Sequence, residues 1–370
     1  MDICREKLFS AFLKAIIISK RGRNMRFGVI IDDYKVEIHE HAIPELGDNQ
    51  VLIANKACNI CTTDYQQWMG LRPHQKKPMA FGHENAGVVR SVGKMVKGIS
   101  VGDSVVTNIY QPCMECENCR RNENSMLCLN SDLKNLELNE FGYYGSYGCS
   151  EYKVVDSKQV FKVNPDLPFE QMAFCEPLST VVHGIKKLNL KPVDKVLVIG
   201  AGTMGMLNAC LSRLYGADVI ISDISNIKVE NAKAMGFNKV INPMVDNYKE
   251  KVYDLTNGTG VDAVIIAVGT SSAYKQALDV SKMGGKLLIF AAGYPKPFWE
   301  LDPNLVHYKF LNVIGTYGCS PSDFQYACDL LGNESIKVDR LIQAKFHLDD
   351  IQNAFETAAK KDAFRVTVLL

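Results

Sequence analysis

The chain carries no surplus of charge: 42 Lys and Arg stand against 41 Asp and Glu, a net of +1. A partner such as nucleic acid or an anionic membrane selects for a basic stripe, and so even a balance gives no reason to expect either. It also lacks a long apolar run. The richest stretch, with Leu8, Phe9, Phe12, Leu13, Ile16 and Ile17, is broken by Lys14. It is too short to span a bilayer and has no A-x-A-like cleavage site. Residues 1–24 therefore read as an N-terminal extension, with folding proper beginning near Met25 and the cytoplasm as the expected location. No internal repeat or low-complexity tract appears. Nor are the twelve cysteines spread as a disulfide framework. Four fall between Cys113 and Cys128 and another, Cys61, precedes a Thr-Thr-Asp run, which suits metal thiolates in a reducing compartment. What is present is a globular composition, 47% hydrophobic and 22% charged over 370 residues, enough for two domains.

The most informative stretch runs from Lys195 to Asp223. Val196-Leu197-Val198-Ile199 is a short β-branched apolar run, as expected of a strand buried on both faces of a parallel sheet. Gly200-x-Gly202-x-x-Gly205 follows at once, then a helical pattern over Met206–Tyr215, a stop at Gly216 and a second strand, Val219–Ile221, ending at Asp223. In this context Gly200 permits the tight turn, Gly202 lets a pyrophosphate approach the backbone, and Gly205 lets helix and strand pack closely. The helix N-terminus offers N–H groups to phosphate. Asp223 is placed to accept hydrogen bonds from a ribose 2′-OH, which favours NAD over NADP; Arg213 and Lys228 are the cations that bear on that preference.

Upstream, from Met25 to about Lys162, short strand-like runs separated by Gly, Pro, Asn and Asp predict an all-β barrel or sandwich. Downstream the period changes. A helix over Gln171–Leu188 leads into strands at Val240–Ile241, Ala263–Ala267, Lys286–Phe290 and Asn312–Ile314. These alternate with helices such as Ile227–Met235 and Ala273–Lys282, the pattern of a doubly wound sheet. Helices over Ser322–Leu331 and Leu348–Lys360 and a last strand, Arg365–Leu369, complete the chain; the last strand is expected to return to the first domain.

Two constellations carry metal chemistry. Cys61, His83 and Glu84 lie in the β-rich part, and Glu176 stands at its junction with the α/β part. Thiolate, imidazole and carboxylate suit Zn²⁺, and three protein ligands with an open position make a catalytic site. Cys113-x2-Cys116-x2-Cys119, followed by Cys128, reads as a closed four-thiolate structural zinc site whose binding free energy folds a loop-like lobe.

The motif Gly82-His83-Glu84-x-x-Gly87, then Gly93, Val96 and Val101-Gly102-Asp103-Ser104-Val105, together with the Cys61-Thr62-Thr63-Asp64 segment, resembles the signature of zinc-containing medium-chain alcohol dehydrogenases. The likeness extends from about Met25 to the C-terminus. It implies an α/β protein, a Rossmann doubly wound parallel sheet at 181–315 and a mostly-β GroES-like catalytic domain formed by 25–180 and 316–370, with the zinc lobe at about 111–130. The resemblance also implies roles. Cys61 and His83 bind the catalytic zinc, and Glu84 and Glu176 compete for the third place. Asp64 holds the zinc histidine, Thr63 bonds the substrate oxygen, Thr180 packs on the nicotinamide and Arg365 lies near the cofactor pyrophosphate. Cys175 is one residue out of register and reads as core. Asn59 and Thr62 stand where the family usually has glycine, so Thr62 narrows the backbone options beside Cys61.

The implied chemistry is hydride transfer from an alcohol to NAD, with zinc as Lewis acid. Glu176 resembles the sorbitol dehydrogenase-like branch, pointing to a polyol or secondary alcohol. An L-threonine dehydrogenase and a sugar-alcohol-phosphate dehydrogenase are the alternatives. Arg72, His74, Lys76 and Lys77 form the basic loop that a phosphate would need, and Tyr65, Tyr147 and Phe310 are candidate pocket aromatics. A small-molecule substrate and a homo-oligomer, dimer or tetramer, are expected. A nucleic-acid-binding role for the four-cysteine lobe is disfavoured, because Glu115, Glu117 and Glu123 offset Arg120 and Arg121.

Overall fold

The computed structural model describes residues 24–109, 111–121, 125–130 and 138–370. The N-terminal extension expected over 1–24 falls almost wholly outside the described residues, except that Asn24 already belongs to the first strand, Asn24–Asp32. No helix among the described residues is long and apolar enough to cross a membrane.

The α/β part is built on a six-stranded, wholly parallel sheet. Its order is Val240–Ile241, Asp218–Ser222, Lys195–Ile199, Val261–Ile266, Ser281–Ile289 and Asn312–Gly315. Order reverses beside Lys195–Ile199, so the loop that follows this strand opens at the topological switch point, where such sheets bind ligands. Val196, Leu197 and Val198 have no solvent exposure, which is why that strand reads as a continuous apolar run rather than an alternating one.

The β-rich part consists of a seven-stranded and a four-stranded sheet. In the larger sheet Gln50–Ile60 pairs with Glu84–Val92 and with Tyr152–Asp156. The final strand Arg365–Leu369 returns to it, pairing antiparallel with Gln50–Ile60 and parallel with Ile342–His347. A helix, Cys175–Leu188, joins the two parts. Its Leu178, Val181, Val182 and Ile185 share one core with Val196 and Val198 of the parallel sheet and with Ala86 and Val106 of the β-rich part.

Three expectations need correction. The N-terminal part is not all-β, because Thr62–Trp68 and Glu117–Arg121 are helices. The first is too short to show a period, but Asp64 at its third position accepts the N–H of Cys61, closing a capping box that starts the turn. The helix expected over Gln171–Leu188 is two, Phe169–Met172 and Cys175–Leu188, and the break puts Glu176 in an N-terminal turn. The helix after Gly269 ends at Val280, and the strand Ser281–Ile289 begins five residues earlier than expected.

Candidate active site

Cys61 caps the helix Thr62–Trp68, His83 sits in the turn before the strand Glu84–Val92, and Glu176 lies one residue into the helix Cys175–Leu188. One donor atom each from Cys61, His83 and Glu84 lies within 4.8 Å of the others. Asp64 reaches two of these groups. Its Oδ2 accepts the Cys61 N–H at 2.9 Å, and its Oδ1 lies 3.5 Å from His83 Nδ1. The placement leaves Nε2 of His83 as the nitrogen turned from Asp64, the arrangement by which an acid orients a metal-binding imidazole.

The electrostatics are those of a site built for a cation. Burial works against a charged His83, but the carboxylate of Asp64, with Cys61 and Glu176, outweighs it and holds the imidazole well above its usual range. Burial pushes Glu176 up to about 7, opposed by His83 and reinforced by the charge of Glu84. Glu176 has no ion pair of its own among the described residues. Glu84, in contrast, receives both Nε and Nη2 of Arg365, at 2.8 and 2.6 Å. Arg365 also approaches Cys61 Sγ at 3.6 Å and Met204 Sδ at 3.5 Å, so it stands between the thiolate and the nucleotide loop. A thiol, an imidazole and buried carboxylates, with too few cations to balance them, fit zinc.

The glycine turn fits a dinucleotide. Gly200 has φ of 99°, and a Cβ on Gly205 would lie 1.7 Å from the Gly200 carbonyl oxygen, so neither position accepts another residue without a shift. Gly202 caps the helix Thr203–Leu214, and a Cβ there would meet nothing nearer than Lys228 Nζ at 4.0 Å. The turn is thus tight at both ends and open at the centre, over a helix N-terminus. Asp223 follows the next strand, its Oδ2 accepting the Ala201 N–H at 2.6 Å and its Oδ1 the Ser225 N–H at 2.8 Å. The metal-site residues, Thr63, Thr180, the glycine turn, Asp223 and Arg365 all line one cleft of about 1280 Å³.

In the lobe, Cys113, Cys116, Cys119 and Cys128 each bring a sulfur within 4.8 Å of the others, despite the long step from Cys119 to Cys128. Backbone N–H groups already point at the sulfurs: Cys116 to Cys113 at 3.3 Å, Cys119 to Cys116 at 3.4 Å and Cys113 to Cys128 at 3.3 Å. Those of Leu129 and Cys119 pull Cys116 down to about 6. A nest of N–H donors around four thiols fits a structural zinc and leaves no position for chemistry. Cys175 is core, as expected, with burial pushing its thiol well up.

Tyr65 and Tyr147 line the cleft; Phe310 does not, and is largely exposed instead. Two contacts are legible only in three dimensions. Arg72 Nη1 donates to Thr63 Oγ1 at 3.0 Å, a contact legible only once the helix Thr62–Trp68 and its return loop are known. Lys153 is buried, its Nζ donating to Asn85 and Thr107, and burial lowers it to about 8.

Fold and site together define a zinc- and dinucleotide-dependent dehydrogenase. Residues 47–165 match the alcohol dehydrogenase GroES-like domain, and residues 203–333 the zinc-binding dehydrogenase domain. The chain is 32% identical over 321 residues to an L-threonine 3-dehydrogenase of Aeromonas salmonicida, covering 85% of this chain and 90% of that protein. A zinc-binding dehydrogenase of Sinorhizobium meliloti, solved with NADP, superposes with a TM-score of 0.84 at 27% identity over 94% of this chain and 100% of that one. A 2R,3R-butanediol dehydrogenase of Bacillus subtilis shares the fold, with a TM-score of 0.78 at 24% identity over 94% and 99% of the two chains. The chain belongs to the zinc-containing medium-chain dehydrogenases, and its cofactors are zinc and NAD(P).

Proposed function

We propose that this protein oxidises a secondary alcohol, in the first place a polyol, with NAD as the hydride acceptor. One observation carries the reading: the thiol, imidazole and carboxylates of the metal site and the open glycine turn line the same cleft. Bound zinc supplies a Lewis acid that lowers the pKa of an alcohol, and the nicotinamide takes the hydride. Glu84, not Glu176, has an oxygen within 4.8 Å of both the Cys61 and His83 donors. Both oxygens of Glu84 are engaged by Arg365, however, whereas Glu176 lacks an ion pair of its own, so Cys61, His83 and Glu176 are the ligands we favour, with Glu176 closing on the ion. Thr63 receives an N–H from Arg72 on one lone pair of its oxygen, which leaves the other to accept the proton of the substrate hydroxyl while its own hydrogen passes outward. Thr180, whose hydroxyl donates to the Pro177 carbonyl at 2.8 Å, presents its methyl group as packing for the nicotinamide. Arg365 holds Glu84 and stands next to Met204 of the nucleotide helix, within reach of the cofactor side of the cleft. Asp223, already fixed by two backbone N–H groups, is the carboxylate that favours an unphosphorylated ribose.

A second reading, L-threonine as substrate, is favoured by the 32% identity to the Aeromonas enzyme. The free thiols suit the reducing cytoplasm. Asn312–Gly315 ends the parallel sheet with one edge unpaired among the described residues, beside exposed Tyr308, Phe310 and Val313, and this supports assembly with a second copy.

The test is NADH formation by the zinc-loaded protein across sorbitol, xylitol, inositol, butanediol and L-threonine, repeated after chelation. Turnover of one class, lost with the metal, supports the reading; no turnover of any secondary alcohol with NAD still bound overturns it.

A further inference from the structure

The loop after the helix Thr62–Trp68 brings a cation into the cleft that the reaction itself does not require. Arg72 donates Nη1 to the Thr63 hydroxyl at 3.0 Å, and its guanidinium lies over the Tyr294 ring at 4.9 Å from the centroid. His74 stacks on the same ring, with centroids 5.9 Å apart. Tyr294 belongs to the segment after the strand Ser281–Ile289, so the guanidinium is gripped between the two parts of the molecule. Arg72 forms no ion pair among the described residues, and its Nε is buried without a hydrogen-bond partner. Of the acids at the metal site, Asp64 is committed to Cys61 and His83 and Glu84 to Arg365, and Glu176 forms no ion pair with Arg72.

A planar guanidinium held by a ring, with one nitrogen spent on a neutral hydroxyl and its Nε unsatisfied, is a receptor for a two-oxygen anion. A buried donor without a partner destabilises the free protein and rewards a ligand that satisfies it. We infer that the substrate carries a carboxylate or a phosphate close to its carbinol carbon and that Arg72 binds this group. The inference rests on the alcohol-oxidising reading of the cleft and narrows its substrate to an anionic alcohol. Because Nη1 touches the hydroxyl that faces the reacting oxygen, the anionic group lies near the carbinol carbon. Arg72 thereby couples recognition to Thr63: an anion that draws on the guanidinium also fixes the hydroxyl beside it.

The experiment compares matched substrates that differ in charge, L-threonine with L-threoninamide and sorbitol 6-phosphate with sorbitol, using the zinc-loaded full chain at saturating NAD. In the wild type, kcat/KM is expected to favour the anionic member of one pair by about tenfold or more, the worth of a charge-assisted bidentate contact. Preference within the threonine pair identifies a carboxylate, and within the sorbitol pair a phosphate. Arg72→Gln should reduce that preference to about twofold or less through KM of the anionic member, with Arg72→Lys recovering part of it. If Arg72 only orients Thr63, Arg72→Gln lowers kcat for both members alike and leaves their ratio unchanged, which overturns the inference. Turnover of neutral alcohols with no preference for charge also overturns it while leaving the proposed function standing. A readout free of turnover is calorimetric titration of inorganic phosphate and of acetate into the protein–NADH complex. One of the two should bind the wild type about tenfold tighter than Arg72→Gln, and equal binding of both overturns the inference even if no alcohol is oxidised.

Discussion

Glu84 and Arg365, 281 positions apart in the chain, form a two-bond ion pair with almost no solvent contact, at 2.8 and 2.6 Å. The pair fastens the last strand to the turn that carries His83. It also explains how a third carboxylate is tolerated beside Asp64, Glu176 and the Cys61 thiol: Arg365 neutralises it, and the charge of Glu84 holds the guanidinium above its usual range against the effect of burial. Removing one partner of such a pair leaves the other buried and unbalanced. Arg365→Gln is expected to destabilise the protein by about 3–5 kcal/mol, and adding Glu84→Gln to recover at least half of that loss. Thermal and denaturant unfolding of the two variants, with zinc present throughout, measure it.

The two thiol clusters separate function from folding. Cys61→Ser should lose one of two bound zinc ions and nearly all turnover while keeping NADH affinity within about threefold. Cys116→Ser removes a sulfur that two backbone N–H groups already hold towards the thiolate. It should lose the other ion and lower the unfolding temperature, because binding there contributes folding free energy. Zinc analysis by mass spectrometry, beside NADH titration and a melting curve, distinguishes the two. A Cys61→Ser protein with near-normal kcat would overturn the ligand assignment.

The legible part of this molecule was the part whose chemistry repeats along the chain. The strand–glycine–helix run before Asp223 declares itself because a buried parallel strand must be continuously apolar and because Gly200 and Gly205 have no substitute in their geometry. The four lobe cysteines declare themselves by spacing. The hidden part depends on contacts between distant positions. Nothing near Arg365 or Arg72 says that one will meet Glu84 and the other Thr63, since each contact needs a strand or loop to return from elsewhere. Thr62–Trp68 escaped notice for a different reason: seven residues are too few to show a helical period, and its start is fixed by one carboxylate–amide bond.

Glu176 makes metal binding sensitive to pH. Burial raises it from 4.5 to about 7, so the metal-free folded protein holds a proton that the unfolded chain releases. Stability of the metal-free protein should therefore fall as pH rises from about 4.5 towards 7, and the raised His83 acts in the same direction as its own proton leaves. Zinc needs these groups deprotonated, so its affinity for the catalytic site should run the opposite way, weakening below about pH 7 by about tenfold per pH unit for each proton displaced. Competition with a chromophoric chelator between pH 6 and 8 measures the slope. Glu176→Gln should flatten it, and Glu84→Gln should not; the reverse result would make Glu84 the ligand.

Asp223 is expected to set the cofactor. With its two oxygens fixed by the Ala201 and Ser225 amides, the carboxylate cannot swing away from a 2′-phosphate. Asp223→Ser should weaken NAD and move the NAD to NADP ratio of kcat/KM by about tenfold or more towards NADP, as expected when one charge repulsion and one charged hydrogen bond are removed. An unchanged ratio would count against its role at the ribose.

The glycine turn offers an internal control, because two of its glycines serve different ends. A Cβ at Gly205 would stand 1.7 Å from the Gly200 carbonyl oxygen, and that backbone has no room to yield. Gly205→Ala should therefore destabilise the α/β part by about 2 kcal/mol or more and lower the yield of folded protein. Gly202 has an ordinary negative φ of −69°, and its Cβ would meet only the far end of Lys228 at 4.0 Å, so the free protein accepts alanine there with little change in melting temperature. The added methyl group would instead occupy the open centre of the turn. Gly202→Ala should raise the NADH dissociation constant about tenfold while leaving both zinc sites filled, and Gly202→Val more steeply. Equal loss of stability in the alanine variants at 202 and 205, with no selective loss of NADH, would mean that the open centre of the turn does not receive the pyrophosphate.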